Sequence, residues 1–322
     1  MRLVAVATEL ILTASLEPAR CLHSAGFRCA EYSFGEAPLM HIALVTTHEL
    51  PHADVDLLPL AVACAPLGIK TSMVCWEDQR VDWSTFDLAL IRSTWNYVAR
   101  LEQFERWIVS VDRVTRLLNP RRALQWNMHK RYLLELHAAG IPVVPTELLL
   151  KGEECDWSSA FSRSSDLVLK PAISAASFGT IRVANGDEAA ARAHRAAHID
   201  RDFLVQPLLH DVLRSGERNL VFLGGKYSHT VTKSARWSGD SNGSNGSVEA
   251  TSAERALAER VLAYVKSLGF GDLAYARVDV ARGPSGDPLL MELEILEPSL
   301  GFEYEPQGAQ RLAAWLRSQV VD

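Results

Sequence analysis

No apolar run in this sequence approaches the roughly 20 residues that a membrane-spanning helix needs, which excludes insertion by a hydrophobic helix. Cysteine is scarce: Cys21, Cys29, Cys64, Cys75 and Cys155 are five in number, scattered, and never spaced CxxC. That pattern excludes a disulfide framework or a clustered zinc site. It fits reduced thiols in a cytoplasmic protein, each a small buried hydrophobe. A basic surplus is also missing. Lys+Arg 33 against Asp+Glu 39 leaves a formal charge of −6, which argues against a nucleic-acid binder or a chain drawn to anionic membrane. Glycine is absent from the first strand-to-helix turn, the nine residues TTHELPHAD from Thr46 to Asp54. A dinucleotide-binding fold needs glycines there so that backbone can approach a pyrophosphate. The phosphate-cradling pattern G-x-x-x-x-G-K-[ST] is absent as well.

What remains describes a globular chain. Its 322 residues are 48% hydrophobic and 22% charged, with room for two or three compact lobes. His48 and His52 could share a helical face as metal ligands, but Pro51 lies between them and no acid or thiol sits at ligand spacing. A loop pair is the better reading. Residues 1–39 stand apart. The apolar stretch 3–15 after Arg2 hints at a signal peptide, yet Glu9 interrupts it and no small-residue cleavage site follows. A second start at Met40 opens a buried strand, so residues 1–39 read as an appended leader, or alternatively as a real extra arm.

From Met40 onward, strands alternate with helical stretches, the mark of α/β layering. Strands are expected at 41–46, 71–75 and 86–92, with helices at 54–67 and 101–111, and Leu117–Pro120 closes a first lobe. Asn127 reads as the N-cap of a helix running to about Ala139, with Gly140 as its stop and Pro142 beyond. Lys130 then falls in the first turn, where a cation opposes the helix dipole and a nearby anion would rationalise it. Residues 167–171 form a strand carrying Lys170, followed by the small-residue loop Ser174–Thr180, a strand at 181–184, an Asn185-Gly186 turn, a helix capped by Asp187, and a strand at 203–206. Such a loop can fold over phosphates through its amide groups, though flexible loops of this composition are common.

The strongest pattern lies near the C-terminus. Alternation in AYARVDVA places Tyr275, Arg277 and Asp279 on one face, opposite Ala274, Ala276, Val278 and Val280. After the turn at 282–287, LLMELEIL places Glu292 and Glu294 together, opposite Leu293 and Ile295. A hairpin centred near Pro284 and Ser285 sets Asp279 opposite 290–292 and Arg277 opposite 292–294. Three carboxylates on one sheet face repel one another unless compensated. Hard divalent cations supply that compensation, and magnesium bridging substrate phosphates is the usual occupant of such an oxygen set. The plain alternative is an exposed strand face with incidental charges.

Taken in order, Lys130, Lys170-Pro with its loop, Gln206-Pro-Leu-Leu, Arg277-x-Asp279 and Glu292-x-Glu294 resemble the ATP-grasp ligases over most of residues 40–322. Arg92-Ser-Thr-Trp-Asn-Tyr97, Leu118-Asn-Pro120, Trp126-Asn-x-His-Lys130, Tyr227-Ser-His229 and the run from Met291 to Ser299 are similar to a glutathione-synthetase-like branch that includes the cyclo-ligases of cycloserine biosynthesis. The resemblance implies an α/β ATP-grasp fold. It divides the chain into an open parallel-sheet domain over 40–122 and an ATP-grasp domain over 123–322, with a small lobe at about 145–208 and a large lobe at about 209–322. It implies that Lys130 and Lys170 contact nucleotide, with Ser174, Ser177 and Gly179 as the covering loop. Gln206, Pro207, Leu208 and Leu209 would read adenine, and Glu217 would hold ribose. Arg277, with Lys170, would act on the transferring phosphate, and Asp279, Glu292 and Glu294 would hold Mg2+, or Mn2+. Glu294 stands where asparagine is common in this family, which makes the site more negative.

The implied reaction joins a carboxylate to an amine through an acyl phosphate, releasing ADP and phosphate. An acyl phosphate needs shelter from water, and residues 236–248, rich in Ser, Asn and Gly, are a candidate lid or a plain linker. The two N-G-S sequons there would matter only in a secreted protein. Arg92, at a strand C-terminus, could grip a substrate carboxylate or pair with a local acid. Lys233 and Arg236 could orient the acceptor or lie at an ordinary solvated strand end. The partner is a small amino acid or derivative, with neither nucleic acid nor membrane, and a homo-oligomer stays open. Phosphotransfer to a small molecule and non-catalytic nucleotide binding are the competing readings.

Overall fold

The computed structural model describes residues 39–50, 53–235, 237 and 244–319. Residues 1–38 of the expected 1–39 leader, together with His52, Arg236 and the middle of the expected lid, lie outside the described residues.

The first unit is a parallel sheet built as the apolar runs require. β1 (Met40–Thr46), β2 (Ile69–Cys75), β3 (Leu88–Ile91) and β4 (Arg116–Leu118) lie in the order β2-β1-β3-β4. β3 is buried along its whole length, as a strand covered on both faces must be. α1 (Leu57–Cys64) and α2 (Leu101–Val111) connect them. α2 turns Phe104, Trp107, Ile108 and Val111 inward at helical spacing. There Phe104 and Trp107 stack at 5.3 Å between centroids.

α3 (Arg121–Met128) and α4 (Tyr132–Ala138) follow. The expected single helix from Asn127 is therefore two helices. Asn127 is not a cap but sits inside α3, where its side chain donates to Leu293 O (2.8 Å) and accepts from Ile295 N (2.9 Å). Lys130 occupies the turn between the helices, its amide given to Ala172 O at 2.8 Å. Gly140 ends α4 at φ +79°, as expected of a left-handed stop.

A second, antiparallel sheet contains β5 (Glu147–Leu149), β6 (Leu167–Pro171), β7 (Ile181–Val183) and β8 (Phe203–Pro207), in the order β5-β8-β6-β7. α5 (Trp157–Arg163) and α6 (Glu188–Ala197) pack against it around Trp157, Leu169 and Phe203. Asp187 caps α6 by accepting from Ala190 N at 3.0 Å.

α7 (His210–Ser215) leads into a third sheet of β9 (Glu217–Leu223), β10 (Lys226–Lys233) and β11 (Ser244–Val248), then α8 (Ser252–Ser267), β12 (Tyr275–Arg282), β13 (Pro288–Glu294) and α9 (Gln307–Arg317). Its order is β11-β10-β9-β12-β13, all antiparallel. β11 corrects part of the lid expectation. The Ser/Asn/Gly composition reads as loop, but β10 supplies a ladder partner from Thr230↔Val248 to Lys233↔Ser244, and pairing outweighs propensity. Glu254 and Thr251 form the reciprocal box that starts α8. α9 returns to α1, and Leu312 and Leu316 share a core with Leu60, Cys64 and Tyr275. Burial of each such side chain stabilises by roughly 1.5–3 kcal/mol. Cys64, Cys75 and Cys155 are buried, and burial pushes the Cys64 thiol up to about 12.

Candidate active site

The β12–β13 hairpin brings the charged residues together. Arg277 pairs with Glu294 and Asp279 with Glu292, while a bulge between Asp279 and Val280 shifts the register beyond. Arg277 grips Asp279 bidentately, Nε to Oδ1 and Nη2 to Oδ2, both at 2.8 Å. Its Nη2 also donates to Glu294 (2.5 Å) and Nη1 to Ser299 O (3.1 Å). Glu292 meets the other two cations, Lys130 Nζ at 3.2 Å and Lys170 Nζ at 3.5 Å. Lys130 Nζ further donates to Ser174 O (2.9 Å) and Ser174 Oγ (3.1 Å). The first turn of the small-residue loop is thereby tied to the third sheet.

All of these groups line one cleft between the second and third sheets. Ser177, Gln206, Pro207, Leu208, Leu209, Glu217 and Lys233 line it too. Gln206 donates through Nε2 to Thr146 Oγ1 (2.8 Å), and the Leu208 amide is given to Asp166 O (2.9 Å). Glu217 and Lys233 pair at 3.1 Å. Gly179 is set back from the cleft. Its φ is +66°, and a Cβ there would lie 2.8 Å from Pro171 Cγ, so it shapes the loop instead of facing a ligand.

Arg92 is the expected site residue that the structure places elsewhere. It is 1% exposed and does not line the cleft. Nη2 donates to Pro298 O (2.9 Å), Asp56 Oδ2 lies 3.7 Å away, and the guanidinium sits 4.9 Å over the Tyr275 ring. Pairing with a local acid is what is found, because β3 ends under the third sheet and not at an open edge. Asp56, fully buried at the start of α1, does not cap it. Its two oxygens accept from Leu300 N (2.6 Å) and Phe302 N (2.8 Å) instead. Trp95 Nε1 donates to Glu297 O (3.1 Å) and Tyr275 Oη to Leu296 O (2.9 Å). The first domain, together with Tyr275 of β12, thus pins the segment 296–302.

Charge in the cleft is unevenly met. Burial raises the Glu292 carboxyl, but Lys130 and Lys170 outweigh it and bring it down to about 2. Burial, with Asp279 and Glu292 beside it, pushes Glu294 up to about 7 despite Arg277. Burial and the neighbouring Glu294 push Glu297 up to about 8. The cleft therefore holds more carboxylate than its own cations neutralise. The donor chemistry of Asp279, Glu292 and Glu294, hard oxygens with surplus negative charge, fits a divalent cation. Among the described residues no three acidic, histidine or cysteine side chains enclose such an ion by themselves. Arg277 and the lysines stand between the acids.

Sequence reasoning missed Glu297, Trp95, Tyr97, Asn219, Ser299 and Glu303, all of which line the cleft. Glu297 had a signal in the third acid of Glu292-Leu-Glu-Ile-Leu-Glu297.

Residues 42–119 match the N-terminal domain of D-cycloserine synthetase DcsG. The chain is 33% identical over 294 residues to the cycloserine biosynthesis protein DcsG of Streptomyces lavendulae, covering 87% of this chain and 98% of that one. It belongs to the DcsG family of ATP-grasp ligases. The crystal structure of D-cycloserine synthetase DcsG superposes with a TM-score of 0.81 at 32% identity, covering 87% of this chain and all, 100%, of the other. An ATP-grasp RimK domain protein from Sphaerobacter thermophilus, 19% identical, superposes at 0.63 over 88% of this chain and 100% of its own. At that identity the likeness shows the shared ATP-grasp fold. This member of the DcsG family is an ATP-dependent ligase, and its cleft between the two antiparallel sheets is the candidate catalytic centre.

Proposed function

We propose that this enzyme activates the carboxylate of an amino acid or small peptide with ATP and joins it to an amine, releasing ADP and phosphate. The observation that carries this reading is the meeting of Lys130 and Lys170 on Glu292, beside the Arg277–Asp279–Glu294 cluster, in one cleft. ATP brings about four negative charges, and an attacking carboxylate adds another, so fixed cations must lie where that charge accumulates. Lys130 and Lys170 bind the phosphates, helped by the loop at Ser174 and Ser177 with Gly179 shaping its turn. Arg277, fixed by three partners, stabilises the transferring phosphoryl group. Gln206 to Leu209 hold the adenine side, Glu217 the ribose, and Lys233 orients the acceptor. Asp279, Glu292 and Glu294 are the residues to hold Mg2+, or Mn2+. When bound, the ion screens phosphate charge and lets these carboxylates remain ionised together. The walls of the cleft exclude water from the acyl phosphate formed on the substrate.

The relatives favour a ligase on amino acids over phosphotransfer. We place the enzyme in the cytoplasm, with a small molecule as its partner. The test is ADP and phosphate release across a panel of amino acids. The ligase reading fails if folded, ATP-binding protein releases no amino-acid-dependent phosphate.

A further inference from the structure

We propose that Glu297 receives the α-ammonium of an amino acid bound as its zwitterion, the substrate's carboxylate being turned toward Lys130, Lys170 and Arg277. This rests on the ligase reading and names the residue that recognises the substrate's amine at that site.

The argument begins with the backbone. The segment carrying Glu297 is held by Tyr275 Oη on Leu296 O, Trp95 Nε1 on Glu297 O, Arg92 on Pro298 O and Arg277 on Ser299 O. Four donors, two from β12 and two from the connection between β3 and α2, leave it little freedom, so the side chain is presented from a fixed base. That side chain lines the cleft and the residue is only 8% exposed. Among the described residues no side chain hydrogen-bonds or ion-pairs with its carboxylate. Four other acids of the lining each meet a cation: Glu292 two lysines, Asp279 and Glu294 Arg277, and Glu217 Lys233. Among the described residues the cleft lining carries four basic side chains (Lys130, Lys170, Lys233, Arg277) and six acidic ones (Glu217, Asp279, Glu292, Glu294, Glu297, Glu303). Ionising a buried carboxyl that has no paired cation is costly, which is why Glu297 is pushed up, and an arriving cation removes that cost.

The position selects which cation. Glu297 lies two residues before Ser299, whose carbonyl takes Arg277 Nη1, and its own carbonyl takes Trp95 Nε1, so it links the Arg277 cluster to the aromatic lining at Trp95. A zwitterion spans such a pair of opposite charges with its own two ends. An acid lacking the amine would leave Glu297 unpaired, so the site discriminates against it.

The test uses the full-length enzyme saturated with Mg-ADP. Thermal-shift titrations with D- and L-α-amino acids identify the ligand that stabilises most, which is then compared with its des-amino counterpart. Wild type should bind the des-amino compound about 10- to 100-fold more weakly, the worth of a desolvated charge pair. Glu297→Gln should bind the amino acid more weakly by the same factor and discriminate between the two ligands by less than about threefold. Glu297→Asp should fall between. Magnesium and ADP affinities should stay within about twofold, and the ligand-free Tm of Glu297→Gln should equal or exceed wild type, since the substitution breaks no ion pair among the described residues. The proposal is overturned if no amino acid stabilises wild type, if Glu297→Gln still discriminates, or if it loses magnesium or ADP affinity in the same measure. Failure of the ligase reading shows separately, as amino-acid binding by wild type with no ADP or phosphate release.

Discussion

Replacing Asp56 with asparagine tests how the first domain holds the active-site segment. Asp56 is 0% exposed, accepts from Leu300 N at 2.6 Å and Phe302 N at 2.8 Å, and stands 3.7 Å from Arg92 Nη2. Asparagine keeps one acceptor oxygen and presents a donor to the other amide, orphaning a buried N–H at a cost of about 1–3 kcal/mol. It also leaves Arg92 a buried cation with less compensation, and removing one partner of such a pair costs about 3–5 kcal/mol. The two losses overlap. Asp54, whose Oδ2 is buried without a partner, can take up part of the Arg92 charge. The expected net loss is therefore about 3 kcal/mol, against a total stability of roughly 5–15 kcal/mol. Urea denaturation near neutral pH, read by tryptophan fluorescence and circular dichroism together, measures it. Adding Arg92→Met should recover about 1–3 kcal/mol of the loss, because the second change removes the stranded charge. Amino-acid affinity should fall with Asp56→Asn while ADP affinity holds, since Asp56 anchors residues 300–302 and not the nucleotide end. A loss below about 1 kcal/mol, or strict additivity with Arg92→Met, would refute the reasoning.

Glu292→Gln should lower turnover by orders of magnitude in a coupled ADP-release assay while the circular dichroism spectrum is kept, because it uncouples Lys130 and Lys170 and removes a proposed metal ligand. Near-wild-type turnover would refute the metal role. Chelation with EDTA should abolish ADP release, and restored Mg2+ should return it. Gly216 has φ +71°, and a Cβ there would meet Lys233 O at 2.6 Å. Gly216→Ala should accordingly destabilise by about 1–3 kcal/mol in urea titrations and weaken the function of the Glu217–Lys233 pair. His229 is buried, with Nε2 on Leu300 O at 2.7 Å, and burial lowers its pKa from 6.5. Above 6.5 both folded and unfolded forms are neutral and stability is unaffected. As pH falls below that value the unfolded chain takes a proton that the folded one refuses, so stability declines. The drop in urea midpoint between about pH 7.5 and about pH 5 should be smaller in His229→Gln than in wild type.

The β12–β13 hairpin was legible because period-2 alternation and a Gly-Pro-Ser-Gly turn are local properties. They sufficed to set Arg277 near Glu294 and Asp279 near Glu292, though not to place the bulge after Asp279. The helix from Asn127 misled because asparagine is a good cap in isolation. Its amide instead satisfies the backbone of Leu293 and Ile295, more than 160 residues away. Arg92 misled for a related reason. A strand end in an open sheet faces ligand, but here the third sheet covers it and Asp56 meets its charge. Glu297 escaped notice because β13 ends at Glu294. Beyond that point alternation no longer tells which side a residue faces.

Local chemistry, then, was written in the chain itself. The order of lysines, arginine and carboxylates and the strand patterning around them pointed to ATP-grasp chemistry, because alternation and turn residues act over a few positions. Only the tertiary structure decided which charges meet. Three sheets converge so that Glu292 takes both lysines, Arg277 takes two acids, and Glu297 is left with none. Burial then turns those pairings into energy, since charges interact strongly only where water is excluded. Water is excluded only where distant segments close over one another.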